Sequence, residues 1–190
     1  MDFSTFRLEK AGYHQAQAIS DLINQTYRGE IGWTTEAAII QGDRTDRLEI
    51  ETAMRHSDAC FFVAYQAFML VSCIYVAKEK EQAYIGFFSV HPSLQQQGVG
   101  KYMLEYAEAF AYNIMQVRNF SMFVVSQRPE LIAFYQRRGY RLTGQVKAYP
   151  SHLGIPKVAN LTIDYLEKVV KVEPDPCGYH SANHKETCRV

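Results

Sequence analysis

The stretch of this chain best equipped for chemistry is Val90-His91-Pro92-Ser93-Leu94-Gln95-Gln96-Gln97-Gly98-Val99-Gly100-Lys101. An apolar run ends there, and a turn with two glycines leads into an apolar stripe at helical spacing. The first N–H groups of a helix have no internal partners and carry the positive end of its dipole. Glycine lets an anion approach such a backbone, so the chemistry on offer is the binding of a phosphate or pyrophosphate. Two common phosphate loops do not fit. A dinucleotide fingerprint needs a small residue where Met103 stands, and a Walker loop needs Gly and Ser or Thr where Gln95 and Tyr102 stand. Spacing alone leaves an ordinary glycine-initiated helix as the alternative.

Other reactive side chains lie in three places. The segments Arg28-Gly29-Glu30-Ile31-Gly32-Trp33-Thr34-Thr35-Glu36 and Gly42-Asp43-Arg44-Thr45 hold the single tryptophan between glycines and threonines. A loop tryptophan of that kind marks a lined pocket. Glu30 or Glu36 could attract an amine there and Arg44 could clamp a carboxylate, against the common alternative of surface charges. Cys177, His180, His184 and Cys188 are zinc-competent ligand types. Their compact C-x2-H-x3-H-x3-C spacing fits no zinc finger, so a polar tail or an oxidative crosslink is the preferred reading and no metal is expected. His91 stands before a proline, which favours extended backbone and a plain loop histidine over a catalytic base.

These residues need elements to position them. Phe6-Arg7-Leu8 reads as a strand, and Ala16, Ile19, Leu22, Ile23 and Tyr27 fall on one helical face. Residues 28–45 read as a loop with some helix, and Asp46 with Glu49 resembles a capping box opening a helix that ends near His56. The run from Ala59 to Ala77, almost continuously apolar, is nearly long enough to span a bilayer. Gln66 and Ser72 interrupt it, and its β-branched and aromatic residues divide into two strands of a hairpin, the preferred reading. Ala83–Val90 is a third strand, Gly98–Gln116 a helix, Phe120–Val125 a strand, and Pro129 opens a helix that Gly139 stops. Strands over Tyr140–Ala148 and Leu161–Val169 follow. The order predicts an α/β (α+β) chain built on one mixed sheet.

Composition narrows the class. The 190 residues are 47% hydrophobic, 13% aromatic and 21% charged, which excludes disordered and low-complexity chains. Twenty basic side chains balance twenty acidic ones, so no global field attracts nucleic acid or anionic lipid. Four scattered cysteines make no disulfide framework, and Met1-Asp2-Phe3-Ser4 does not begin a secretory signal. The expectation is a cytoplasmic protein with one domain over residues 1–170, a polar Cys/His-containing tail over 171–190, and no nucleic-acid or membrane partner.

Gln95-x-x-Gly98-x-Gly100, directly after Ser89-Val90-His91-Pro92, resembles the acyl-CoA-binding motif of the GNAT superfamily of N-acetyltransferases. Leu131-Ile132-Ala133-Phe134-Tyr135-Gln136-Arg137-Arg138-Gly139-Tyr140 is similar to that family's second motif. The close resemblance covers residues 84 to 148; beyond Val170 nothing matches. A GNAT-like sheet, mainly antiparallel and splayed between two central strands, is implied, with flanking helices. So is acetyl-CoA as acyl donor, its pyrophosphate against the backbone of Gln95, Gln96, Gln97, Gly98, Val99, Gly100 and Lys101. Phe88, Ser89 and Val90 match the strand that pairs with pantetheine, and Tyr135 matches the general acid that protonates the departing thiolate.

Two departures qualify that picture. Arg128 stands where many members have a cofactor-contacting Asn, and is read as a phosphate or carboxylate grip or as a solvated arginine. Tyr84 stands where several have a glutamate base, which leaves Tyr84, Glu81 or His91 to relay the proton through water. The G-W-T-x-E and R-T patterns are similar to those of other superfamily members and assign Trp33, Glu30 and Arg44 to the acceptor side. The resulting expectation is an N-acetyltransferase acting on a small-molecule or peptide amine by direct attack, since Cys60 and Cys73 lie outside the motifs. A non-catalytic CoA-binding module is the alternative. Neither the acceptor nor the oligomeric state is readable from the sequence.

Overall fold

A computed structural model describes residues 3–170; the Cys177–Cys188 ligand set lies outside the described residues. The strands are β1 (Phe6–Lys10), β2 (Ile40–Gln41), β3 (Ala59–Gln66), β4 (Met69–Glu79), β5 (Gln82–Val90), β6 (Asn119–Val125), β7 (Arg141–Ala148), β8 (Ile155–Pro156) and β9 (Thr162–Val169). The helices are α1 (Ala16–Arg28), α2 (Arg47–Met54), α3 (Val99–Asn113) and α4 (Pro129–Gln136). Seven strands form one sheet in the order β1-β3-β4-β5-β6-β9-β7. Every neighbouring pair is antiparallel except β5 and β6.

The near-continuous apolar run at 59–77 is explained by burial on both faces of β3 and β4. Successive strand residues point to opposite faces. Cys60, Phe62 and Ala64 join the core beneath α3, with Met103, Leu104 and Ala107. Phe61 and Val63, one residue out of step, join the core beneath α1 and α2, with Ile19, Ile23 and Ile50. No solvated face is left, so the alternation that marks a half-buried strand disappears. Among the described residues no helix is long and apolar enough to cross a membrane. The hairpin turns at Ala67, which takes a left-handed φ of 53° without glycine or asparagine at that position.

Local signals place the helices. Asp46 caps α2 by accepting a hydrogen bond from the Glu49 N–H at 2.7 Å. Pro129 opens α4, and Gly139, at φ 90°, ends the turn that follows it. Of the segment 28–45 only Arg28, the end of α1, is helical, which corrects the expectation of helix within it: residues 29–45 are turns and the short strand β2, paired with β8 inside what reads as a plain loop. That pairing is a contact across more than a hundred residues, which local periodicity does not carry.

Burial pushes the Cys60 thiol up to about 11 and the Cys73 thiol up to about 12, from an ordinary 9.0. The unfolded chain therefore loses these protons first as pH rises. The contribution of these two thiols to stability is full below about pH 9 and is lost as pH rises above it. Melting temperatures recorded from pH 7 to pH 10.5 should be level up to that point and then fall; a level profile to pH 10.5 contradicts the assignment.

Candidate functional site

β5 and β6 pair over only three positions, Gln82 with Asn119, Ala83 with Phe120 and Tyr84 with Ser121. Both strands then continue, β5 to Val90 and β6 to Val125, without further pairing to each other. A cleft opens where the ladder stops. On its other side β5 is bulged: Ser89 pairs with Cys73 and Gly86 with Tyr75, so Phe87 and Phe88 share the space opposite Ile74. Phe87 sits at φ 44°, a region that bulky residues seldom occupy. The bulge re-aims the strand so that Phe88 lines the cleft, and the Tyr27 hydroxyl donates to the Phe88 carbonyl at 3.3 Å.

The cleft encloses about 430 Å³. Phe88 and Val90 contribute from β5, and Leu131, Phe134 and Tyr135 from α4. The turn before α3 supplies Gln95, Gln96, Gly98, Gly100 and Lys101, and Arg137 and Arg138 add positive charge. Gln96 and Gly98 take left-handed φ values of 61° and 90°. Alternation of that kind turns successive N–H groups toward one side, a geometry that receives anions. Among the described residues the N–H groups of Gln96, Gln97 and Gly98 meet no protein acceptor. The first bond of α3 is Tyr102 N–H to the Gly98 carbonyl at 3.0 Å, which leaves the N–H groups of Val99, Gly100 and Lys101 free as well. A Cβ on Gly100 would lie 3.4 Å from the Phe134 ring and 3.7 Å from the Phe88 ring, so any side chain there enters the cleft.

A second, smaller cavity of about 50 Å³ adjoins the cleft and shares Tyr27, Arg128, Leu131 and Tyr135 with it. Its own walls include Arg44, Glu36, Tyr84, Gly86, Phe87 and Tyr149. Tyr135 stands in the wall common to both spaces. Burial pushes its hydroxyl above the usual phenol range, with Tyr27 adding to the push and Arg128 opposing it. Burial does the same to Tyr84, opposed by Arg44. Both phenols therefore hold their protons at neutral pH. The Tyr84 ring lies over Gly86, where a Cβ would come within 2.7 Å of it; only glycine leaves that ring its place.

A buried ionic hub fixes the walls. Glu36 accepts from Arg28 through one carboxylate oxygen and from Arg128 Nη1 through the other, the latter at 2.8 Å. Arg128 also donates to the Thr34 hydroxyl from Nη2 at 2.8 Å and from Nε at 3.2 Å. Arg28 reaches on to the Leu153 carbonyl at 2.7 Å. One carboxylate thus joins the end of α1, the Trp33 loop, the start of α4 and the 149–153 turn.

Against the sequence expectations, Trp33, Phe88, Val90, Gln95, Gln96, Gly98, Gly100, Lys101, Arg128 and Tyr135 all line the cleft, and Arg44 and Tyr84 line the second cavity. Ser89 is buried, its carbonyl bonded to Ser72, and Val99 is in the core, so their side chains face away. Gln97 is exposed and bonded to the Ser93 carbonyl. The Gln95 side chain bridges the Val90 carbonyl and the Trp33 N–H, tying the turn to the tryptophan loop. Glu30 is exposed and lines neither space. The reading of Arg128 as a solvated arginine is corrected: it is buried because Glu36 supplies its counter-charge. Glu36 is correspondingly engaged and not open to an amine. Helical spacing places Tyr27 only in the core; its position in the last turn of α1, just before Gly29, is the sequence signal of a second role.

Glu36→Ala leaves Arg28 and Arg128 buried without their shared counter-charge. Removing one partner of a buried pair costs roughly 3–5 kcal/mol. Urea unfolding should show a loss of that size, and a change under about 1 kcal/mol would contradict the role of the hub.

Comparisons with known proteins agree with this geometry. Residues 57–142, which hold the bulge, the turn before α3 and Tyr135, match the model of the acetyltransferase (GNAT) domain. No curated protein matches the sequence. Among solved structures, the ribosomal-protein-S18-alanine N-acetyltransferase from Escherichia coli has a TM-score of 0.67 at 13% identity, over 90% of this chain and 98% of that one. An IAA acetyltransferase from Bacillus cereus scores 0.64 at 16% identity, over 87% and 99%. The spermidine/spermine N-acetyltransferase from Vibrio cholerae scores 0.63 at 14% identity, over 87% and 93%. The chain has the fold of the GNAT acetyltransferases, and its residues 57–142 match the model of that family's acetyltransferase domain.

Proposed function

We propose that the protein transfers an acetyl group from acetyl-CoA to a primary amine, with Tyr135 as the general acid. The observation that carries this reading is the position of Tyr135 in the wall between the cleft, with its free N–H groups, and a second cavity. The residues fit the donor. Six free N–H groups at 96–101 and the cations Lys101, Arg137 and Arg138 suit a pyrophosphate and a further phosphate. The β6-facing edge of β5 beyond Tyr84 lacks a strand partner, so its backbone is free to pair with an extended amide-bearing arm. In this reading acetyl-CoA supplies the activated thioester.

The chain's own groups then do three things. Backbone donors on β5 around Phe88 and Val90 stabilise the charge that develops on the carbonyl oxygen. Tyr135, kept protonated by burial, holds a proton for the leaving sulfur. Tyr84, also kept protonated, serves as a hydrogen-bonding partner of the incoming amine in place of a base, and the amine arrives neutral. Attack is direct, because Cys60 and Cys73 are buried and line neither cavity, and their raised thiols disfavour the thiolate. The acyltransferase domain in this reading is residues 1–170 with the remaining tail appended, and the setting is the cytoplasm, where both thiols stay reduced.

Thermal unfolding with acetyl-CoA tests the donor site. Ligand at a hundred times its dissociation constant should stabilise the fold by about 2.7 kcal/mol. Gly100→Glu, which fills the cleft with a carboxylate, should abolish the shift, and an unchanged shift in the variant would move the donor elsewhere. Tyr135→Phe should keep acetyl-CoA binding and lose roughly a hundredfold or more in kcat. Unchanged turnover removes Tyr135 from the chemistry, and binding without turnover of any amine by the unmodified protein favours a CoA-binding module.

A further inference from the structure

Arg44 is 8% exposed, yet among the described residues its guanidinium donates no hydrogen bond, and its Nη1 is sealed from solvent without an acceptor. Its neighbours are the faces of Phe87 at 4.8 Å and Tyr27 at 5.8 Å, and the Glu49 carboxylate at 3.8 Å, too far for a hydrogen bond. The backbone that carries it is nonetheless firmly placed. The backbone N–H groups of Arg44 and Thr45 both donate to Asn24 Oδ1 on α1, at 2.8 and 3.2 Å. A guanidinium offers five N–H donors in a planar fork, and leaving those of the sealed Nη1 unmet is costly. Arg28 and Arg128, by contrast, are fully engaged by Glu36, Thr34 and carbonyls. Arg44 is built for an acceptor that the chain itself does not provide.

The charge around the second cavity has the matching sign. The side chains of Arg28, Arg44 and Arg128 are each at most 9% exposed, and the buried carboxylate among them is Glu36 alone. In the cavity wall itself Arg44 and Arg128 face Glu36, an excess of one positive charge, and Arg28 stands outside that lining on the other oxygen of Glu36. The other two carboxylates within 4 Å of these arginines, Glu49 and Glu130, are 43% and 39% exposed and partly neutralised by water. This cavity adjoins Tyr135 and Tyr84, where the proposed transfer would occur.

We propose that Arg44 grips the carboxylate of the acceptor, so that the substrates are amino-acid-like amines, with nitrogen and carboxylate a few bonds apart in one small molecule. The inference rests on the acetyl-transfer reading and names its substrate class. The carboxylate fills the fork bidentately and offsets the surplus positive charge. The nitrogen is then free to point toward the cleft. One N–C bond forms, the C–S bond breaks, and one N–H proton is exchanged for the proton that Tyr135 delivers to sulfur, so no further reactant is consumed. The same surplus charge disfavours a polyamine.

Amino acids and the amines made from them by decarboxylation differ only in the group Arg44 would bind. Phenylalanine against 2-phenylethylamine, tyrosine against tyramine, methionine against 3-(methylthio)propylamine and lysine against cadaverine can be compared by CoA-thiol release at saturating acetyl-CoA. At least one amino acid should exceed its amine in kcat/KM by about tenfold or more. Arg44→Met should remove that preference through KM while keeping the stabilisation by acetyl-CoA. Should Arg44→Met fail to fold, Arg44→Lys keeps the charge and loses the fork, and it should weaken the preference in the same way. Amines equal to or better than their amino acids, a preference that survives both variants, or an acetyl-CoA shift without turnover of any compound would each overturn the carboxylate site. Absence of the acetyl-CoA shift in the unmodified protein would instead overturn the acetyl-transfer reading beneath it.

Discussion

The parting of β5 from β6 after three paired residues is the constraint on which the rest of the structure depends. Two backbone edges released inside a sheet leave donors and acceptors that must be met or kept wet. Here the opening is flanked by α4 on one side and the turn into α3 on the other, so it becomes a bounded cleft with free N–H groups at one end. The two halves of the sheet are each antiparallel, and they share one core: Phe62, Ile74 and Ile85 pack in the same cluster as Phe120, Met122 and Leu166. β1, β3, β4 and β5 pack under α1, α2 and α3, while β6, β9 and β7 continue beyond the split.

Arginines buried at the site follow from the same geometry. With the central strands apart, the end of α1, the Trp33 loop and the start of α4 meet over the opening, and Glu36 binds them through Arg28 and Arg128. A buried carboxylate with two arginines is rigid but leaves net positive charge, and Arg44 increases it. The apolar cleft and the cationic second cavity are thus two outcomes of closing one gap, and Tyr135 belongs to both walls.

Much of this was legible in the sequence wherever the signal is local. Gly98 at φ 90°, Pro129 at the first turn of α4 and Asp46 at the cap of α2 each announce their element within a few residues. The turn at 95–101 and Tyr135 were legible through motif resemblance, since spacing alone left an ordinary helix start open. What stayed hidden depends on distant partners. Arg128 looks like a surface charge until Glu36, ninety-two residues away, is placed beside it. The β2–β8 pairing and the second role of Tyr27 have the same character. The apolar run of β3 and β4 misleads in the opposite way, because a strand covered on both faces loses the alternation that would identify it.

A crystal structure of the protein with coenzyme A tests the central claim most directly. The account predicts the pantetheine arm lying between β5 and β6 with its amides on the free edge beyond Tyr84, the pyrophosphate on the N–H groups of 96–101, and the thiol within reach of the Tyr135 hydroxyl. Coenzyme A bound outside that opening, or β5 and β6 closed against each other along their full length, would contradict it.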